Sequence, residues 1–166
     1  MNPVIVYSRM GSTRLPEKAM LDFYGDSMIG FICKRLSKRF SDRIVIATSD
    51  DRENDVLELF AEKNNYKIIR GSENDLYART ELVLNKYSSD YFIRVNGDCP
   101  LVDPDFIAHF EHCILKYDVV TNIFRRSFPY GISVEIVRSA AFRKAEKLLT
   151  ELNREHLTTI FYENSE

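Results

Sequence analysis

Two unbroken apolar runs, Val4-Ile5-Val6-Tyr7 and Ile44-Val45-Ile46-Ala47, constrain this chain most tightly. A strand wetted on one face alternates apolar and polar residues. An unbroken run fits a strand buried on both faces, as in a sheet with helices on either side. The rest of the chain keeps that rhythm. Ser27 caps a predicted helix carrying Met28, Ile29, Ile32 and Leu36 on one side. Asp55 to Asn64 reads as a helix with Val56, Leu59 and Phe60 at core spacing, and Tyr66 to Arg70 as a strand stopped by Gly71. Leu76 to Tyr87 reads as a helix with Leu76, Leu82 and Leu84 among its apolar positions, followed by a strand at Tyr91-Phe92-Ile93-Arg94-Val95. Asp103-Pro104 starts a helix, Asp as the cap and Pro in the first turn, that runs to about Lys116. Val119 to Thr121 and Ser133 to Val137 read as strands; Ser139 caps a helix through Leu149, and Asn153 a last one with Leu157, Ile160 and Phe161. The expected fold is α/β: a mainly parallel sheet of about six to seven strands covered by helices on both faces. Residues 1–166 suit a single domain with one core.

Composition removes several function classes. The formal net charge is -2, so the global basic excess of a nucleic-acid binder is missing. The N-terminus carries no basic segment followed by a long apolar one, and no run approaches the roughly 18 apolar residues that span a membrane. Cys33, Cys99 and Cys113 are odd in number and widely spaced, which argues against a disulfide framework and a zinc site. A cytoplasmic setting, with no nucleic-acid and no membrane partner, is the expectation.

Ligands of parallel α/β sheets bind beyond the carboxyl ends of the strands. That rule selects the loop after the first strand, Thr48 to Asp51, and Asn96 to Asp103. The first loop places Arg9, Arg14 and Lys18 within ten residues, with Gly11 and Ser12 between them. Gly11 lets backbone amides approach a ligand and form an anion nest, and the three cations suit a triphosphate. The loop lacks the second glycine and the Gly-Lys-Ser/Thr ending of a Walker A loop, and it has one glycine where a dinucleotide fingerprint needs three. Asp98 follows a strand in Asn96-Gly97-Asp98-Cys99-Pro100, where Gly97 permits an unusual backbone. A carboxylate facing a triphosphate loop is what Mg²⁺ requires: a hard cation that takes one or two carboxylates plus substrate phosphates. Asp103, before Pro104, is a helix cap. His109 and His112 share a helix with no third ligand in view and read as surface residues. Cys99 has no base in its motif and reads as packing.

The run Arg-x-Gly-Ser-x-Arg-Leu-Pro-x-Lys, from Arg9 to Lys18, resembles the signature loop of the cytidylyltransferase superfamily, which includes the acylneuraminate and Kdo cytidylyltransferases. The nearest branch is the one named after a spore-coat polysaccharide biosynthesis protein. The resemblance continues through Ala47-Thr48-Ser49, Arg70-Gly71-Ser72-Glu73, Asn96 to Asp103, Phe128-Pro129-x-Gly131 and Arg154-Glu155-His156, in order along nearly the whole chain. It implies a nucleotide-diphospho-sugar transferase (GT-A/Rossmann-like) fold. It also implies CTP and a sugar as substrates, the sugar an acidic one for surface polysaccharide, with CMP transferred and pyrophosphate released. A homodimer is common in such families.

Carried over by position, the resemblance implies nucleotide contacts at Arg9, Gly11, Ser12, Arg14, Lys18, Thr48, Ser49 and Asn96. Arg9, Arg14, Lys18 and Asp98 would act in catalysis, and Glu135 would join Asp98 on the metal. Ser133 stands where relatives more often carry Asp. Asp75 and Arg79 match the family's nucleotide-proximal helix start, with a surface ion pair the other reading of Arg79. Arg125, Tyr130 and His156 are sugar-side expectations, and Arg126 shares their stretch. Two alternatives stand: a glycosyltransferase of the same architecture, or a degenerate nucleotide-binding subunit. A glycosyltransferase would favour an Asp-x-Asp pair over Gly97-Asp98-Cys99-Pro100. Relatives run on past the Arg-Glu-His motif, so a chain truncated at its C-terminus is a further expectation.

Overall fold

The computed structural model describes residues 1–12, 15–124, 126, 128–150, 154 and 157–163. In chain order the elements are β1 (Val4–Tyr7), β2 (Asp22–Phe23), β3 (Asp26–Ser27), α1 (Met28–Phe40), β4 (Ile44–Ser49), α2 (Asp55–Lys63) and β5 (Lys67–Gly71). There follow α3 (Leu76–Tyr87), β6 (Tyr91–Asn96), α4 (Pro104–Glu111), β7 (Val119–Thr121), β8 (Glu135–Arg138), α5 (Ser139–Ala145) and α6 (Thr159–Glu163). Six strands form one sheet in the order β5-β4-β1-β6-β8-β7. The first four in that order are parallel; β8 runs antiparallel to β6 and to β7. The expected mainly parallel sheet is thus present.

Its central strands bury both faces because successive side chains point to opposite sides. Val4, Val6, Ile44, Ile46 and Ile93 join Ile32 and Leu36 of α1, Leu57 of α2 and Ile107 of α4 in one core layer. Ile5, Tyr7, Val45, Ala47 and Phe92 join Val83 and Leu84 of α3 and Phe142 of α5 in the other. Each fully buried Ile or Phe contributes roughly 1.5–3 kcal/mol of transfer free energy.

Most boundaries match the periodicity, and the departures have local causes. The buried side of α2 carries Leu57 and Ala61, whereas Leu59 is 65% exposed. On α3, Leu82 is also exposed. Gly71 belongs to β5 instead of ending it, paired with Ser49. The helix begun at Pro104 tightens at His112–Leu115 into a 3₁₀ turn. Strand β8 starts at Glu135, not Ser133. Ser139 is the first residue of α5 and makes no side-chain cap; its N–H donates to the Asp90 carbonyl at 2.8 Å. The helix gives way at Glu146–Leu148 to another 3₁₀ turn. Asn153 lies outside the described residues. The short antiparallel ribbon β2–β3 has no counterpart in the sequence reading. Among the described residues, no helix is long and apolar enough to cross a membrane.

The caps at Ser27 and Asp103 form as expected. Ser27 Oγ accepts from Gly30 N at 3.1 Å, and Asp103 Oδ1 accepts from Asp105 N at 2.9 Å and Phe106 N at 3.0 Å. Asp103→Ala leaves both α4 amides without that acceptor. It is expected to lower stability by about 1 kcal/mol, read by urea denaturation.

Candidate active site

After β1 the chain turns to β4 and β5 and only later returns to β6, on the other side of β1. This reversal opens a crevice beyond the carboxyl ends of β1 and β6. Tyr7 and Asn96 are register partners there, and Gly97 N–H donates to the Tyr7 carbonyl at 2.8 Å. A Cβ on Gly97 would lie 2.7 Å from that carbonyl and 2.8 Å from Ser8 Cβ. Close approach of two strand exits therefore requires glycine, and not the unusual backbone angle expected from sequence. Tyr7 is locked from behind: Thr80 Oγ1 donates to the Leu76 carbonyl at 2.7 Å, so the Tyr7 hydroxyl donates to Thr80 at 2.7 Å. Burial holds that phenol well above its ordinary pKa, so it stays protonated.

The first loop folds on the Met10 backbone. Met10 N–H donates to Asn54 Oδ1 at 2.9 Å, and the Met10 carbonyl accepts from Ser12 N at 2.7 Å and Glu17 N at 3.2 Å. Three loop amides, those of Met10, Ser12 and Glu17, thus already have protein acceptors. Gly11 passes so near the β4–α2 segment that a Cβ there would meet Glu53 Oε1 at 2.5 Å. Lys18 opens the 3₁₀ turn Lys18–Met20, anchored by buried Ala19. Its ammonium reaches Asp98 Oδ2 at 2.7 Å. Arg9 Nη1 lies 3.2 Å from Glu73 Oε1. The fold therefore joins Lys18 to Asp98 across the crevice. Arg14, Arg125 and His156 lie outside the described residues.

Thr48 and Ser49 end β4 with no exposed surface. Ser49 Oγ donates to Asp51 Oδ2 at 2.8 Å and accepts from Asn54 Nδ2 at 2.8 Å, so this hydroxyl ties the turn together. That contact is the first cause holding the Asp51 carboxyl below its ordinary range. Glu73, facing Asp51, is pushed up, first by sharing a hydrogen bond with it and then by burial. Arg79 is not a surface ion-pair residue. It is 1% exposed, and its guanidinium donates to the Ser72 carbonyl at 3.1 Å and the Glu73 carbonyl at 3.0 Å. Burial lowers its pKa. Asp75 caps α3 through Ala78 N at 2.8 Å and pairs with Arg154 at 2.7 Å.

On the far side, Glu135 is buried and fully engaged. Arg94 and Thr158 donate to its carboxylate, as does Tyr162 at 2.6 Å. Burial opposes the Arg94 charge, but Glu135 outweighs it and holds the guanidinium above its ordinary pKa. The Glu135 charge is felt at Cys99, beside Asp98, whose thiol is pushed up to about 11, chiefly by burial. A thiol kept protonated is no nucleophile, in line with the packing role. Among the described residues, no three His, Cys, Asp or Glu side chains converge on a point. His109 and His112 are exposed. Asn96 is half-buried at the β6 end. Beyond β7, the Arg126 guanidinium stacks 4.3 Å from the centre of the exposed Tyr130 ring. That loop is fastened by Phe128 against Phe106 of α4, their ring centres 4.8 Å apart. Sequence reasoning missed the site-facing role of Glu73 and the buried one of Arg94; only the Arg70-Gly71-Ser72-Glu73 motif pointed to the former.

A family model described as cytidylyltransferase matches residues 3–165. The spore coat polysaccharide biosynthesis protein SpsF of Bacillus subtilis is 30% identical over 166 residues, covering 93% of this chain and 67% of that protein. The chain thus spans about two thirds of that relative's length. The structure of a cytidylyltransferase from Leptospira borgpetersenii superposes with a TM-score of 0.94 at 32% identity, covering 98% of this chain and 71% of the other. A CMP:2-keto-3-deoxy-manno-octonic acid synthetase complexed with CTP superposes with a TM-score of 0.68 at 20% identity, covering 99% and 86%, and so shares the fold.

Two outcomes follow from this geometry. Gly97→Ala forces the β1 and β6 exits apart and is expected to cost about 1–3 kcal/mol, read by thermal or urea unfolding. Asp51→Asn is expected to bring the Glu73 pKa down toward its ordinary value, read by carboxyl-detected NMR titration. A carboxyl raised on folding gains from protonation, so the shared hydrogen bond is present at acid pH and is lost as pH rises through the Glu73 value.

Proposed function

The chain belongs to the cytidylyltransferase family, and from that premise we propose that it transfers CMP from CTP to a sugar with release of pyrophosphate. The sugar is taken to be an acidic one of the surface-polysaccharide class, and residues 1–166 act as one nucleotidyltransferase domain. The observation that carries this reading is the Lys18–Asp98 contact of 2.7 Å at the sheet's switch point. It brings a loop cation and a strand-end carboxylate to one crevice, as transfer at a triphosphate demands.

In this reading CTP lays its phosphates along the first loop. Arg9 and Lys18 leave Glu73 and Asp98 for phosphate oxygens, and Arg14 adds a forked contact. Asn96, at the β6 end, faces the nucleoside together with Thr48 and Ser49 at the β4 end, where the Ser49 hydroxyl holds the turn in shape. A sugar hydroxyl attacks the α-phosphorus in line. The new oxygen–phosphorus bond forms as the bond to the bridging oxygen breaks. The electron pair leaves with pyrophosphate, and the hydroxyl proton passes to solvent. Arg9 and Lys18 neutralise charge developing on the leaving group. Alignment of nucleophile and leaving group contributes the rest.

A divalent cation fits Asp98. The carboxylate is half exposed, is a hard oxygen donor and already carries a cationic partner in Lys18. Mg²⁺ held there would supply charge neutralisation on the phosphates. Glu135 would join it only by loosening its bonds to Thr158 and Tyr162. The stacked Arg126–Tyr130 pair offers a guanidinium to a sugar carboxylate; Arg125 and His156 remain sugar-side residues by the resemblance alone.

The test is pyrophosphate release from the purified chain with Mg²⁺, each of four nucleoside triphosphates and a panel of acidic and neutral sugars. Release is expected with CTP plus an acidic sugar only, and Asp98→Ala is expected to cut it by roughly 10²–10³-fold. Release at an equal rate from Asp98→Ala, or with no sugar present, would sink this mechanism.

A further inference from the structure

The two described cations of the first loop are not turned toward an empty crevice. Arg9 rests on Glu73 at 3.2 Å and Lys18 on Asp98 at 2.7 Å. The second contact matters more, because Asp98 is the carboxylate that the proposed function gives to the divalent cation. We infer that Lys18 occupies Asp98 in place of that cation, so that the ion enters the site together with the triphosphate and not before it. This inference rests on the proposed nucleotidyl transfer and adds to it an order of assembly.

The geometry supports an exchange limited to one side chain. The Lys18 backbone is fixed: its turn is closed by Met20 N–H to the Glu17 carbonyl at 2.9 Å and by buried Ala19. Asp98 is fixed as well, between Gly97 N–H on Tyr7 and Cys99 N–H on the Asn96 carbonyl at 3.1 Å. Only the four-carbon stem of Lys18 needs to turn. Its side chain is 28% exposed and that of Asp98 46%, so the pair is solvated, and an exposed ion pair is weak enough to yield. An ammonium and a divalent cation on one carboxylate repel each other. Without phosphate, displacing Lys18 gives up its ion pair with Asp98. With phosphate present, Lys18 moves to a phosphate oxygen and frees Asp98 for the metal. Metal and triphosphate therefore favour each other's binding, and by linkage the coupling is reciprocal. The same charge on Lys18 that opposes the lone ion then holds the phosphates of the loaded site.

The experiment is a Mn²⁺ titration of the nucleotide-free chain, followed by the EPR signal of the unbound ion. Lys18→Met is expected to bind Mn²⁺ about two- to fivefold more tightly than the wild type, the scale of an exposed ion pair removed. Lys18→Arg, which keeps the charge, is expected to match the wild type. Asp98→Asn is expected to abolish the gain when combined with Lys18→Met. Circular dichroism confirms the fold of each variant, and Lys18→Gln replaces Lys18→Met if the latter unfolds. Equal or weaker Mn²⁺ binding by Lys18→Met would overturn the inference, as would no Mn²⁺ on either chain or a gain that survives Asp98→Asn. Because no nucleotide or sugar enters this titration, its failure is separate from failure of the pyrophosphate assay.

Discussion

The contact between Gly97 and Tyr7 governs the rest of the site. A hydrogen bond of 2.8 Å draws the exits of β6 and β1 together, and the absence of a side chain at position 97 allows it. From that junction, one chain segment leaves as the cationic loop and the other as the turn bearing Asp98. Their meeting is a product of strand register, since Lys18 and Asp98 are 80 residues apart in sequence. The sheet supplies rigidity, because β1 is buried on both faces and pinned again by the Tyr7–Thr80 hydrogen bond. Side chains built on such a frame need to move little to reach a ligand.

The fold was legible where burial left a periodic mark. Val4 to Tyr7 and Ile44 to Ala47 announced strands with two covered faces, and both sit mid-sheet. Spacing alone places Leu59 in the core because α2 carries several apolar residues in succession, yet Leu59 faces solvent. The stripe that meets the sheet runs through Leu57 and Ala61, with Val56 and Phe60 beside it. The ribbon at Asp22–Ser27 escaped notice because strands of two residues have no measurable period. Ser139 had the right chemistry for a cap, but the chain enters α5 from a paired strand, and the serine falls inside the first turn.

The site was legible as a set of chemically suited residues and not as a set of contacts. Arg9, Lys18 and Asp98 could be picked from loops at strand ends, but the pairing of Lys18 with Asp98, and of Arg9 with Glu73 between β5 and α3, could not, because sequence position carries no contact. Buried charge was the larger blind spot. Arg79 satisfies two carbonyls from inside the core, and hydropathy alone makes such an arginine look like a surface residue. The resemblance points to Glu135 but gives no hint that Arg94, Thr158 and Tyr162 surround it.

That enclosed quartet has a consequence for how the sequence can drift. Loss of either Arg94 or Glu135 alone strands an unbalanced charge in the interior, an outcome that typically costs about 3–5 kcal/mol. Loss of the pair together, with apolar replacements of similar volume, is often close to neutral. Positions 94 and 135 are therefore expected to change in step across descendants of this chain, with positions 158 and 162 adjusting alongside. Selection then acts on the four as one inherited unit, joining the middle of the sheet to its final helix.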